Sequence, residues 1–252
     1  MKIRFLGTGT STGVPEIGCR CEVCKSTDKR DNRLRSSVLI QIGDKNILID
    51  CGPDFRQQML PLEFKKLDAV LLTHEHYDHV GGLDDLRPFC KFGDVDVYAE
   101  NHVADVLRER IPYCFQESKY PGVPDILLHE INLDVFWIDD VEITPVRIMH
   151  SNLPILGYRI GNVAYLTDVK SIPDEEFVKL QDLDILIIDA LRLKEHISHE
   201  NLSEALVNIK RIAPKRSYLI HMSHQMGLHE VVQKSLPENI YLSYDGLEIE
   251  SE

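Results

Sequence analysis

Short runs rich in Val, Ile and Leu recur along the chain, and six of them end in a residue that can bind a metal or carry a proton. Asn46-Ile47-Leu48-Ile49 ends at Asp50, Ala69-Val70-Leu71-Leu72-Thr73 at His74, and Val146-Arg147-Ile148-Met149 at His150. Val163-Ala164-Tyr165-Leu166-Thr167 ends at Asp168, Ile185-Leu186-Ile187-Ile188 at Asp189, and Tyr218-Leu219-Ile220 at His221. Runs of this length and composition suit strands buried on both faces, and the opening stretch, 1–7, reads as a first strand. Helices are expected at roughly 53–60, 101–110, 173–181, 201–213 and 228–236. In 201–213, Leu202, Ala205, Leu206, Ile209 and Ile212 share one helical face, and Pro214 ends it. Strands alternating with helices predict α/β layers, in which ligands gather at one end of the strands. A single Asp there serves equally well as a cap or turn residue. Three His among the six ends do not have that explanation, so one shared site drawn from both halves of the chain is expected.

The 252 residues can bury a sizeable core, and 1–252 is read as one domain. With 43% apolar and 27% charged residues, disorder, collagen and coiled coil fit poorly. No apolar run reaches the roughly 18 residues of a membrane span, and 1–7 lacks the apolar region of a signal peptide. A cytoplasmic location and no membrane partner are the resulting expectations. The net charge of −13 disfavours an extended nucleic acid. It still admits a small anionic substrate, because a bound cation reverses the local sign. A homodimer is the default assembly.

The densest chemistry is His74-Glu75-His76-Tyr77-Asp78-His79, followed by Val80-Gly81-Gly82. In a turn, residues two apart can point to the same side, so His74 and His76 can grip one cation. Asp78 and His79 begin the next element and can reach a second. Imidazole and carboxylate suit zinc, manganese or iron and leave positions open for water.

This motif, after an apolar strand, resembles the signature of the metallo-β-lactamase fold, and the likeness runs over nearly the whole chain: Asp50 matches the early strand-end Asp, and His150, Asp168 and His221 match the later metal motifs. The resemblance implies a four-layer αββα sandwich with a dinuclear site at one sheet edge. It further implies that His74, His76 and His150 hold one metal, that Asp78, His79 and His221 hold the other, and that Asp168 bridges them. A carboxylate bridge looks like the hydrolase and phosphodiesterase branches. Two cations about 3.5–4 Å apart would lower the pKa of a shared water and clamp the group under attack. Asp50 would orient a ligand imidazole.

Six cysteines are too sparse for a disulfide scaffold, yet Cys19, Cys21 and Cys24 crowd one loop at about 18–25. In a reducing compartment such a cluster reads as metal binding. Three thiolates suit tetrahedral zinc and require a fourth ligand. His224 is free for that role if His221 turns to the catalytic site. This loop, with a late His-x-x-His, looks like the phosphoribosyl cyclic phosphate phosphodiesterase (PhnP-type) family, which implies a closed structural zinc. His199, just ahead of the helix at 201–213, stands where the phosphodiesterase branches place a proton-donating His, with His196 as competitor. His102, His129 and His229 are read as surface or packing residues, and Cys51, Cys90 and Cys114 as buried. Gly7, Gly9 and Gly13 are read as a turn near the metal site, and 113–125 as part of the substrate entrance.

These features together predict a phosphodiesterase that hydrolyses a small cyclic or diester phosphate, phosphoribosyl or nucleotide-like, by a metal-bridging hydroxide, with catalytic residues Asp50, Asp168 and His199. A tRNA-processing endonuclease, a thioesterase or lactonase, and a non-catalytic relative of the cofactor-biosynthesis branch are the alternatives.

Overall fold

Residues 1–116 and 121–251 are described by the computed structural model. The first half of the chain supplies β1 (Lys2–Gly7), β2 (Ser37–Ile42), β3 (Lys45–Ile49), β4 (Ala69–Leu71), β5 (Val95–Glu100) and β6 (Ile126–Ile131). Helices α1 (Phe55–Met59), α2 (Tyr77–Val80) and α3 (Asn101–Arg110) lie among them. The second half supplies β7 (Phe136–Ile138), β8 (Val141–His150), β9 (Leu153–Ile160), β10 (Val163–Leu166), β11 (Ile185–Asp189), β12 (Arg216–Ile220) and β13 (Ile240–Leu242), with α4 (Leu202–Ile212) and α5 (His229–Gln233). The last strand, β14 (Glu248–Glu250), returns to the first sheet.

Two seven-stranded sheets result, ordered β14-β1-β2-β3-β4-β5-β6 and β13-β12-β11-β10-β9-β8-β7. Each is mixed. Strands β3 to β6 run parallel, as do β10 to β13, while the hairpins β2–β3 and β8–β9 are antiparallel. The sheets pack face to face through Phe5, Ile47 and Leu71 of one and Ile143, Tyr158 and Ile187 of the other. Two further clusters cover the outer faces. One joins Val70 and Val97 to Phe55, Leu83 and Leu107, and the other joins Leu186 and Leu219 to Ala205, Ile209 and Val232. This is the expected αββα sandwich.

The expected helices at 101–110 and 201–213 form as α3 and α4. Asn201 caps α4 by accepting from the Glu204 N–H at 2.9 Å, while Glu204 returns a bond to the Asn201 N–H at 2.9 Å. The segment expected at 173–181 is instead a 3-10 turn, Asp174–Leu180. Its Glu176 is turned inward to accept from the Arg147 N–H, which suits a tight, short piece better than a regular helix. The expected helices at 53–60 and 228–236 contract to the five-residue α1 and α5. Among the described residues no helix is long and apolar enough to cross a membrane.

The two sheets are sutured at the edge where the strand ends converge. The Tyr158 hydroxyl donates to the Leu72 carbonyl at 2.5 Å, and the Leu156 N–H to the Thr73 carbonyl at 3.0 Å. Thr10 N–H bonds the Met222 carbonyl at 3.1 Å, and Met222 N–H bonds the Thr8 carbonyl at 3.0 Å. Arg147 of β8 forks onto Glu100 of β5 at 2.8 and 2.5 Å. Backbone paired in this way cannot slide, so side chains from both halves hold a fixed relation.

Candidate metal centre

The site is built where strands stop. Asp50, Asp168 and His221 each follow a strand and each take a left-handed backbone, with φ of 63°, 58° and 58°. Ordinary residues avoid this region, and its appearance at three converging positions marks a place where chain direction is subordinated to side-chain aim. His150 is the last residue of β8. His76 caps α2, and Asp78 and His79 lie inside it, as the spacing predicts. The close approach needs Gly52: a Cβ there would lie 2.0 Å from the Asp78 carbonyl.

Hydrogen bonds decide which ring nitrogens face inward. Asp50, fully buried, accepts from the Thr73 N–H at 2.9 Å and from its hydroxyl at 3.0 and 3.1 Å, and lies 2.7 Å from His79 Nδ1. The Thr73 oxygen also lies 3.0 Å from His74 Nδ1. His150 Nδ1 faces two carbonyls, Asp168 at 3.1 Å and Ser198 at 2.9 Å, so it carries the hydrogen. In each ring the Nε2 lone pair is left for the interior.

There the imidazoles crowd together. His74 lies 4.5 Å from His76 and 4.3 Å from His79, centroid to centroid, and His76 lies 5.3 Å from His150. His79 Nε2 is 3.2 Å from both Asp78 and Asp168, and His221 Nε2 is 3.5 and 3.4 Å from the same two carboxylates. Ligand atoms of His74, His79 and Asp168 all lie within 4.8 Å of one another, as do those of Asp78, His79 and His221.

A pair of divalent cations fits this donor set. The Nε2 atoms of His74, His79 and His221 are buried without a hydrogen-bond partner, a costly state that a Lewis acid relieves. Burial pushes the His74 imidazole well below 6.5, toward the neutral form a metal requires. Burial would raise Asp168, but His221 and His79 outweigh it and hold the carboxyl well below its usual range. Burial would lower His79, but Asp78, Asp168 and Asp50 raise it well above 6.5. Three carboxylates around one buried ring make a place that attracts positive charge.

His199 packs on the same cluster, 4.6 Å from His150 and 5.0 Å from His221 between centroids. Its Nδ1 is 3.7 Å from Asp168. Burial lowers it to about 4, partly offset by Asp168. His196 lies behind it, 5.2 Å away and more exposed. Gly9 bridges to Met222, beside His221, so the glycine turn packs by the site.

The thiols of Cys19, Cys21 and Cys24 lie within 4.8 Å of one another. The Cys24 N–H points at Cys21 Sγ at 3.4 Å and lowers that thiol, whereas burial pushes Cys24 up to about 11. His224 is not within 4.8 Å of all three. It faces Glu16 instead, Nδ1 to Oε2 at 3.0 Å, and the Glu16 carbonyl accepts from the Cys19 N–H.

His129 pairs with Asp96 at 2.6 Å and stacks on Tyr98, His229 is buried beside Arg33, and His102 sits 3.6 Å from Glu75. Cys51 and Cys114 are buried, but Cys90 is partly exposed, because it lies near the end of the surface 3-10 segment Leu83–Phe92, where its sulfur accepts from the Asp125 N–H. The expected entrance segment 113–125 includes 117–120, which lie outside the described residues. Tyr113 itself is held by Asp84 at 3.1 Å. Thr73 and the Ser198 carbonyl carry parts of the site that no spacing announces, since one acts through a common hydroxyl and the other through backbone.

Imidazoles and carboxylates converging at one edge of a paired-sheet sandwich define a metallo-hydrolase. A family profile described as a beta-lactamase superfamily domain matches residues 45–222. A solved structure described as a new diphosphatase from the PhnP family is 40% identical, with a TM-score of 0.92 over 98% of this chain and 96% of that one. The chain therefore belongs to the beta-lactamase superfamily and, within it, to the PhnP family. A curated octanoyltransferase of Porphyromonas gingivalis (strain ATCC BAA-308 / W83) is 51% identical over 98% of this chain, which spans 51% of that protein's length. The zinc-bound PqqB structure from Methylobacterium extorquens, 18% identical with a TM-score of 0.81 over 100% of both chains, shares the fold.

Proposed function

We propose that this chain is a metal-dependent phosphodiesterase that hydrolyses a small cyclic or diester phosphate, phosphoribosyl or nucleotide-like. The observation that carries this reading is His199: a buried imidazole packed against His150 and His221 but outside the set needed to hold two cations. His74, His76 and His150 would hold one cation and Asp78, His79 and His221 the other, with Asp168 between them. Zinc and manganese suit these donors, and iron is compatible. Bound there, the pair supplies an activated water at neutral pH and neutralises charge that builds on the phosphate.

The remaining work falls to the protein. Asp50 and Thr73 fix the rings of His79 and His74, and the two carbonyls at His150 fix a third. An entering phosphate diester adds negative charge beside His199 and raises its affinity for a proton. The ring then delivers that proton to the departing alkoxide. Tyr77 and Ile197, 66% and 84% exposed, lie one and two residues from His76 and His199 in the chain and offer apolar surface to the rest of the substrate. Cys19, Cys21 and Cys24 would hold a third, structural zinc, closed by a swing of His224 away from Glu16.

A charge of −13 favours a small substrate over an extended nucleic acid. Reduced thiols suit the cytoplasm, and a single domain assembled as a homodimer is the default arrangement. The 40% identity to a diphosphatase supports a second reading, cleavage of a phosphoanhydride at the same site. Acyl transfer is named for a relative about twice as long, so it enters as a test. The metal-loaded protein should be assayed on cyclic phosphates, bis-p-nitrophenyl phosphate, nucleoside diphosphates, octanoyl thioesters and lactones. Diester turnover lost with a chelator and restored by manganese or zinc supports the proposal. Turnover confined to thioesters or lactones overturns it.

A further inference from the structure

We infer that Arg110 is a specificity-determining residue, the subsite that takes a second phosphate group on the substrate. This builds on the reading of the metal centre as the place where a phosphate diester is cleaved.

Arg110 is the last residue of α3 and is exposed. Val103, Ala104 and Leu107 bury the inner face of that helix, and Pro112 follows its end. The helix is tied to the ligand loop at both of its ends. In its first turn, His102 Nε2 lies 3.6 Å from Glu75 Oε2. At its last residue, Arg110 Nη1 donates to the Glu75 carbonyl. Glu75 stands between His74 and His76, and consecutive Cα atoms are about 3.8 Å apart. The guanidinium is therefore held about a sugar's width from a cation gripped by those two rings.

This is the open side of the centre. His74, His79, His150 and His221 are buried, whereas His76 is exposed. Tyr77 follows it, and one edge of its ring packs on Gly81, where a Cβ would lie 2.7 Å from Tyr77 Cε2. The ring is propped in this way and leaves the rest of its surface to solvent. His150 separates this end from the other, with its ring 5.3 Å from His76 and 4.6 Å from His199. A substrate whose leaving oxygen faces His199 therefore extends past His76 toward Tyr77 and Arg110.

The charge of Arg110 is uncommitted there. Other cations from elements around the site are neutralised: Arg147 forks onto Glu100, Lys170 meets Glu204 at 3.0 Å, Arg35 meets Asp54 at 3.0 Å and Arg87 meets Asp84 at 2.6 Å. Arg108, also in the last turn of α3, pairs with Asp105 and Glu130. On the His199 side, Arg192 spends its donors on Gln225 and on the Lys194 and Glu195 carbonyls. Among the described residues Arg110 pairs with no carboxylate, since the one on Glu75 faces His102. In a chain of net charge −13, a cation kept free beside a metal ligand makes a place where a second negative group is tolerated. A guanidinium offers five donors in a planar fork that matches phosphate. The bond to the Glu75 carbonyl uses one of them and holds the group in place.

The test uses the metal-loaded protein and its Arg110→Ala, Arg110→Gln and Arg110→Lys variants. Adenosine 2′,3′-cyclic phosphate and its 5′-phosphorylated counterpart are compared as substrates. Adenosine 3′-phosphate and adenosine 3′,5′-bisphosphate are compared as ligands by titration calorimetry, and bound metal is counted for each variant. The wild type should favour the doubly phosphorylated member of each pair by about 10- to 100-fold, through KM and Kd rather than kcat. Arg110→Ala and Arg110→Gln should bring that ratio close to one with metal content retained. Arg110→Lys should keep part of it, because lysine restores the charge but not the fork. A wild type with no preference overturns the inference, and so does a preference that survives in Arg110→Ala. A variant that loses both members of a pair equally, or loses metal, also overturns it, because Arg110 then only braces the ligand loop. Absence of diester turnover beside a ligand preference that vanishes in Arg110→Ala defeats the phosphodiesterase reading and upholds the subsite.

Discussion

Asp50 Oδ2 lies 2.7 Å from His79 Nδ1, inside a fully buried knot that also includes both donors of Thr73. Asp50 comes from the end of β3 and His79 from α2, so one contact ties the strand edge to the ligand helix. Replacing Asp50 with Ala frees the ring and strands the Thr73 N–H. Affinity for a cation at His79 should fall about 10- to 100-fold, measured by competition with a chromogenic chelator. Unchanged affinity would mean that the ring is held by something else.

Gly52 supports the same knot from behind. A methyl group there meets the Asp78 carbonyl at 2.0 Å, and backbone cannot yield as a side-chain tip can. Gly52→Ala should lower stability by about 1–3 kcal/mol and weaken metal binding through Asp78, read by urea unfolding and by metal titration together. A variant with wild-type stability would show that the turn at Asp78 shifts freely.

Much of this is legible in the sequence. The six runs are strands with a metal-binding or acidic residue at or just beyond their ends; most are buried on both faces and read as unbroken apolar runs, whereas β8, antiparallel to both its neighbours, alternates and is marked chiefly by His150. His74, His76 and His79 were legible from spacing alone. The strands β2, β9 and β14 carry mixed patterns with one face partly exposed and gave no such signal. Asp189 is visible as a strand end, but its approach to His199 arises only in the fold, because His199 comes from a loop ten residues later. Chain position brings His224 near the thiol loop, but its turn toward Glu16 is a matter of three dimensions and leaves no trace in spacing.

The three-thiol loop should behave as a separate metal site. Replacing Cys19, Cys21 and Cys24 with Ser should remove one zinc per chain and lower Tm by several degrees, while the ions at His74 to His221 stay bound. Elemental analysis alongside calorimetry decides it. A variant that loses no zinc would reduce the cluster to three free thiols.

A pH signature is expected from two groups that neighbour Arg33, His229 and Asp245. Burial, then Arg33 and Arg30, push His229 down to about 4 from 6.5. The unfolded chain therefore holds the extra proton between those values, and stability falls as pH drops through that window. Burial lifts Asp245 from 3.8 to about 6, so the folded chain holds the extra proton there and stability rises as pH drops. The two offset each other in the wild type. His229→Gln leaves Asp245 alone, and its stability relative to wild type should improve by about 1–2 kcal/mol between pH 7 and 4.5. Urea melts at both pH values test this, and a difference that does not change with pH would contradict it.

The most direct measurement is anomalous scattering from crystals of metal-loaded protein, collected at the zinc and manganese edges. Two ions about 3.5–4 Å apart, one against His74, His76 and His150 and the other against Asp78, His79 and His221, with Asp168 touching both, is the expected map. A single ion, or ions that leave Asp168 and His221 untouched, would contradict the dinuclear centre on which the proposed hydrolysis stands.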